Sequence, residues 1–239
     1  DPCRSRGLGD VYKRQGKTLG FLLPVFHRIS TKNLPLGATE AMNMLQRGRG
    51  CVNSSKLPSP LCLVVSPTRE LAMQIHKECV KFGTPIGISA TVLYGGANAN
   101  AQIQEFRKGG QIVVATPGRL CDLLDRKSCL TLSMCHFIIL DEADRMLDMG
   151  FEPQLKQITN ALPEKSSRQT LFFTATWPKA VRKVASKFMR GDEETIEIFI
   201  GEGTANGELV ANKSVKQTFI EAQDDMKAVS YTHLTLPTN

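Results

Sequence analysis

The strongest constraint on the fold of this chain is an alternation of short apolar runs with helical patterns, repeated along most of its length. LCLVVSP (61–67), ISATVLYGG (88–96), QIVVATP (111–117), CHFIILDEAD (135–144) and RQTLFFTAT (168–176) read as strands, and TIEIFI (195–200) as a further one. The stretches between them, 68–83, 99–110, 118–127, 145–162 and 178–189, carry helical spacing. In the fourth, Pro153 marks an expected break. Strands that are apolar without alternation are buried on both faces, the habit of a parallel sheet. Parallel neighbours need crossover helices, so the expectation is a doubly wound, mostly parallel α/β domain. Such domains bind ligands at the carboxyl ends of their strands. There the sequence places SPTRE, YGG, ATPGR, DEAD and TAT, five polar or glycine-rich clusters on one predicted edge.

Composition narrows the class. The 239 residues are 41% hydrophobic and 22% charged, ordinary for a globular domain with a substantial core. A net charge of +7 is compatible with an anionic partner but does not name one. Seven cysteines without a CxxC pair argue against both a disulfide framework and a zinc site. The apolar run Leu19–Phe26 is too short for a membrane span, and no secretory signal is visible. An intracellular protein without a membrane partner is expected, nuclear or cytoplasmic before organellar. Residues 31–60, rich in Gly, Pro, Ser and Asn, read as a mobile surface loop inserted in the domain. Its Gly48-Arg49-Gly50 could touch RNA, but a solvated loop is the preferred reading.

Two clusters carry nucleotide chemistry. Gly16-Lys17-Thr18 opens a helical stretch, where free backbone N–H groups face a phosphate, lysine reaches the outer phosphates and a threonine hydroxyl ligates Mg²⁺. Asp141-Glu142-Ala143-Asp144 closes an apolar strand. One carboxylate there can hold Mg²⁺ through water, and its neighbour can orient and deprotonate a water molecule. A GKT with a strand-terminal acidic pair is the two-part signature of a P-loop NTPase.

Three more clusters lie in order along the same edge: Pro67-Thr68-Arg69-Glu70-Leu71-Ala72, Thr116-Pro117-Gly118-Arg119-Leu120 and Thr174-Ala175-Thr176, with Tyr94-Gly95-Gly96 between the first two. Together they closely resemble the first RecA-like domain of a DEAD-box ATP-dependent RNA helicase over roughly residues 16–221, with TATWP as a variant of the more usual SAT. The resemblance implies ATP and Mg²⁺ as cofactors, with Gly16, Lys17 and Thr18 at the phosphates and metal, Asp141 on the metal and Glu142 as the base. It implies that Asp144, Thr174 and Thr176 couple nucleotide state to RNA. Pro67, Thr68, Arg69, Gly95, Gly96, Thr116, Pro117, Gly118 and Arg119 would then line the RNA backbone. Arg and Thr are good phosphate partners, and none of the clusters supplies a base reader. Binding should therefore be largely independent of RNA sequence and sensitive to salt.

The resemblance fails at both ends. Aligned on Gly16, Val11 takes the place of the family's loop-opening Ala, and Lys13, Arg14 and Gln15 take those of Thr, Gly and Ser. A side chain at the interior glycine costs about 1–2 kcal/mol in backbone conformation alone. Residues 1–15 show no counterpart of the family's adenine-reading segment. Residues 1–15 and about 229–239 are expected to be non-native sequence around a coding fragment. The first RecA-like domain is expected over 16–208, with a linker and the start of a truncated second RecA-like domain over 209–228. No arginine-finger motif follows, and such a finger is worth about a thousandfold or more in phosphoryl transfer. The fragment alone is therefore expected to be inactive, the alternative being a non-catalytic RNA-binding or interaction module.

Overall fold

A computed structural model describes residues 16–31, 57–126, 129–191 and 194–198. The chain divides into one compact unit ending at Thr195 and a second from Ile196 onward, of which only residues 196–198 are described. The expected leader, linker and tail, and residues 32–56 of the loop, lie outside the described residues.

The first unit is a parallel sheet of β1 (Cys62–Val65), β2 (Ala90–Leu93), β3 (Ile112–Ala115), β4 (Phe137–Leu140) and β5 (Gln169–Phe172), in the spatial order β2-β3-β1-β4-β5. The helices are α1 (Lys17–Ser30), α2 (Arg69–Gly83), α3 (Ala99–Arg107), α4 (Pro117–Asp125), α5 (Ala143–Asp148), α6 (Glu152–Ala161) and α7 (Lys179–Phe188). After β1 the chain moves to one side of the sheet for β2 and β3, then crosses to the other for β4 and β5.

Every residue of β1, β3 and β4 is buried, as their unbroken apolar sequences require. Alternate side chains feed two cores. Cys62, Val64, Ile112, Val114, Phe137 and Ile139 meet the apolar faces of α1 and α2. Leu63, Val65, Val113, Ala115, Ile138 and Leu140 meet α3 through α7. Burying one such side chain stabilises the fold by roughly 1.5–3 kcal/mol, so the central strands dominate stability. Gly110 marks a place where only glycine fits: a Cβ there would stand 2.7 Å from the Phe106 ring and 2.8 Å from Thr91 Oγ1.

The register brings the strand ends level. Val65 lies beside Ala115 and Leu140, Leu93 beside Ala115, and Phe172 beside Leu140. The ladder runs one residue further at each end: the N–H groups of Ser66, Thr116, Asp141 and Phe173 donate to the carbonyls of Ala115, Leu93, Val65 and Leu140. The clusters after β1, β3, β4 and β5 therefore start from or directly follow a hydrogen-bonded residue at the same height on the sheet.

Two elements differ from expectation. Residues 145–162 do not form one helix broken at Pro153. They belong to α5 and α6, separated at Met149–Phe151, where Gly150 turns with φ +78°, and Pro153 sits in the first turn of α6. Proline is tolerated there because its missing N–H would have no helical partner. Residues 195–198 form no strand, and Ile196 and Ile198 are exposed, while 199–200 lie outside the described residues. Alternating isoleucines favour an extended chain, but a strand exists only where a neighbour accepts its hydrogen bonds.

Candidate functional site

Beside the turn after β4, Gly16 caps α1 in a conformation (φ +107°) open to glycine, and among the described residues no side chain caps the first turn. That turn contains no acidic residue, so its N–H groups and the positive end of the helix dipole are available to an anion. One residue into the helix, Lys17 Nζ lies 2.6 Å from Asp141 Oδ1. The Asp141 side chain is 1% exposed, and its Oδ2 is buried with no hydrogen-bond partner among the described residues. Burial pushes this carboxyl above its ordinary value, and the Lys17 ammonium and the Glu142 N–H oppose that push. A buried, half-satisfied carboxylate costs stability and is retained where something binds it.

Glu142 follows in the left-handed region (φ 53°, ψ 51°), the only non-glycine residue among those described with positive φ. The strain costs about 1–2 kcal/mol. It breaks the strand direction sharply, so Asp141 ends in the core while Glu142 stands at the start of α5, 3.4 Å from Arg145. Asp144 accepts hydrogen bonds from the N–H and Oγ1 of Thr176, both at 3.0 Å. Thr174 Oγ1 donates to the Thr176 carbonyl at 2.7 Å. Burial acts to raise the Asp144 carboxyl, but hydrogen bonds from Thr176, Arg145 and Thr174 outweigh it and hold it below its ordinary value. The acidic turn after β4 and the TAT turn after β5 are thus one bonded unit.

Further along the edge, the turns after β1, β2 and β3 surround a depression of about 430 Å³ lined by Pro67, Arg69, Gly95, Thr116, Gly118 and Arg119. Arg69 is exposed and lies 4.9 Å over the Tyr94 ring. Gly96 turns with φ +81°, and a side chain there would reach Arg69. Thr68 caps α2, its Oγ1 accepting from the Leu71 N–H, while Pro67 and Pro117 are buried and shape their turns.

The family model described as DEAD/DEAH box helicase matches residues 15–184. The chain belongs to the DEAD/DEAH box helicase family. It is 46% identical over 202 residues to DEAD-box ATP-dependent RNA helicase 14 of Arabidopsis thaliana, covering 84% of this chain and 28% of that protein. It is 46% identical over 204 residues to the ATP-dependent RNA helicase-like protein DB10 of Nicotiana sylvestris, with the same two coverages. Among solved structures it is similar to the RNA helicase Prp28 from Chaetomium thermophilum bound to ADP: TM-score 0.57, 39% identity, 73% of this chain and 37% of that one. The yeast DEAD-box splicing factor Prp28 superposes with the same TM-score at 31% identity, with the same coverages. The chain therefore spans about a quarter of the length of its first relatives.

The family motifs read from the sequence fall into two groups in space, Lys17–Asp141 with the DEAD–TAT unit, and the depression around Arg69 and Gly95. Three features had no sequence signal. Asp122 and Phe151 join the depression, although both read as ordinary helix-face residues. Gln102 donates from Nε2 to the Tyr94 carbonyl at 3.3 Å. The guanidinium of Arg119 is spent within the domain, donating to Gln102 Oε1 and the Ala97 carbonyl at 2.9 Å each. Among the described residues no helix is long and apolar enough to cross a membrane.

Proposed function

We propose that this chain is the nucleotide-binding half of an ATP-dependent RNA helicase, coupling ATP binding and hydrolysis to RNA remodelling when joined to a second RecA-like domain. The observation that carries the reading is the Lys17–Asp141 pair at a helix N-terminus, with a buried Asp141 oxygen and a first turn that are without side-chain partners among the described residues. Among the described residues no group of three or more His, Cys, Asp or Glu could hold a metal alone. The Mg²⁺ that the resemblance implies does not need such a group, since it is bound by one or two carboxylates together with water and nucleotide phosphates. Asp141 and Thr18 would hold it, and its chemistry is to neutralise phosphate charge.

Lys17 then has two partners to choose between. With no nucleotide it neutralises Asp141; with one it turns to the outer phosphates and releases Asp141. Gly16 lets the backbone approach the phosphates. Glu142, held at the start of α5 by its left-handed turn, is the base for the attacking water. Asp144, Thr174 and Thr176 transmit the state of this turn to the neighbouring loops. The depression from Pro67 and Arg69 through Gly95 to Thr116 and Gly118 takes the sugar–phosphate chain of RNA without reading bases.

The resemblance places the arginines that stabilise the transferred phosphate in the second RecA-like domain, so RNA-stimulated turnover by the first domain on its own is expected to be negligible. Nucleotide binding is the direct test. A fluorescent ADP analogue should bind with Mg²⁺ and lose affinity in Lys17→Ala, with RNA affinity measured in parallel. RNA-dependent ATP turnover abolished by Glu142→Gln would overturn the expected inactivity. RNA binding indifferent to nucleotide would favour the non-catalytic module.

A further inference from the structure

Arg69 and Arg119 both border the depression, but they are not equivalent cations. Arg69 is exposed, its head lies over the Tyr94 ring, and among the described residues no hydrogen bond occupies its N–H groups. Arg119 is 11% exposed. Its Nη1 donates to Gln102 Oε1 and its Nη2 to the Ala97 carbonyl, while Nε faces Asp122 at 3.7 Å. Gln102 in turn donates to the Tyr94 carbonyl. The two carbonyls are the two ends of the turn Tyr94-Gly95-Gly96-Ala97. Glycines give that turn conformational freedom, including φ +81° at Gly96, so something must hold it. Beyond the turn, Asn98 fixes the chain by capping α3.

Resting on the RNA-binding reading above, we propose that Gln102 and Arg119 form a brace that holds the glycine turn in its RNA-accepting shape, and that Arg119 is a positioning residue rather than a phosphate contact. The planar fork of arginine suits this task, reaching an amide oxygen and a carbonyl at once, which a lysine ammonium cannot do in the same geometry. Asp122 offsets its charge. Gln102 is the keystone, accepting from α4 and donating to the turn with one side chain.

The distinction is measurable because a lost phosphate contact changes salt dependence and a lost brace does not. The affinity of the chain for a short fluorescein-labelled single-stranded RNA is measured by anisotropy over a range of KCl concentrations. Gln102→Ala and Arg119→Lys should each weaken binding about tenfold, the effect of one charge-assisted hydrogen bond, with the logarithmic salt slope unchanged. Arg69→Gln should lower the slope by about one phosphate's worth, roughly 0.7. A reduced slope in Arg119→Gln with full affinity retained in Gln102→Ala would overturn the brace. Amide hydrogen exchange of residues 95–97 without RNA decides independently: both brace variants should exchange faster there at unchanged global stability, and wild-type protection in both would refute the proposal. If the wild type fails to bind RNA, the RNA reading falls while the exchange result still judges the brace.

Discussion

The bond between the acidic turn and the TAT turn can be weighed by a double-mutant cycle on Asp144→Asn and Thr176→Val. Thr176→Val removes the Oγ1 donor and leaves the backbone N–H, while Asp144→Asn removes the charge on which both 3.0 Å bonds depend. A hydrogen bond to a charged group is worth about 1.5–3 kcal/mol net. Asp144 is half-buried, so water replaces part of that, and about 1 kcal/mol is expected for the hydroxyl bond. Thr176→Val should therefore cost about 1 kcal/mol, and Asp144→Asn about 2 kcal/mol because it weakens two bonds. The double variant should fall short of the sum by about 1 kcal/mol. Urea denaturation reads this well, since Trp177 is the chain's single tryptophan, adjoins the turn directly and packs edge-on against Phe172 at 5.9 Å. The coupling has a defined pH window. Asp144 is held below the ordinary aspartate value of 3.8, so its stabilisation is complete above that pH and is lost as pH falls through the lower folded value. Additivity within about 0.3 kcal/mol at neutral pH would refute the reasoning, as would a coupling that survives full protonation of Asp144.

Two further outcomes concern the same site. Lys17→Met leaves Asp141 buried without its cation. It should destabilise the domain by about 2 kcal/mol at neutral pH, less than a fully buried pair because Lys17 is 39% exposed. Because the Asp141 carboxyl is already raised and rises further, the difference from wild type should shrink toward acid pH, where the carboxyl is protonated; equal loss at all pH values would show that packing, not charge, was removed. For Glu142, Asn should be more stable than Gln by about 0.5–1 kcal/mol in thermal or urea unfolding, since Asn tolerates the left-handed region, and equal stabilities would mean the turn carries no strain.

Most of the framework was legible in the chain because its signals are local. LCLVV, QIVVA and HFIIL are apolar without alternation, and each became a strand buried on both faces. In the structure Thr68 and Asn98 cap α2 and α3, each accepting hydrogen bonds from its helix. TIEIFI misled because its pattern is as good as that of RQTLFF, yet its described residues, 195–198, form no strand, whereas Gln169–Phe172 pair with β4. The break before α6 was misplaced because Pro153 is the louder signal, whereas Gly150 makes the turn.

The sequence by itself determined the order of the elements, the family and the residue types at each strand end, because strand burial, helix capping and phosphate chemistry depend on neighbours along the chain. The tertiary structure decided which of those residues meet. Lys17 and Asp141 are far apart in sequence and 2.6 Å apart in space, and no pattern in either segment announces the distance or the unpartnered oxygen beside it. Arg69 and Arg119 belong to equally suggestive motifs, yet one is exposed and the other is spent on Gln102 and Ala97. The reason is physical: a side chain's role depends on the donors and acceptors that surround it, and those are supplied by strands brought level only when the sheet closes.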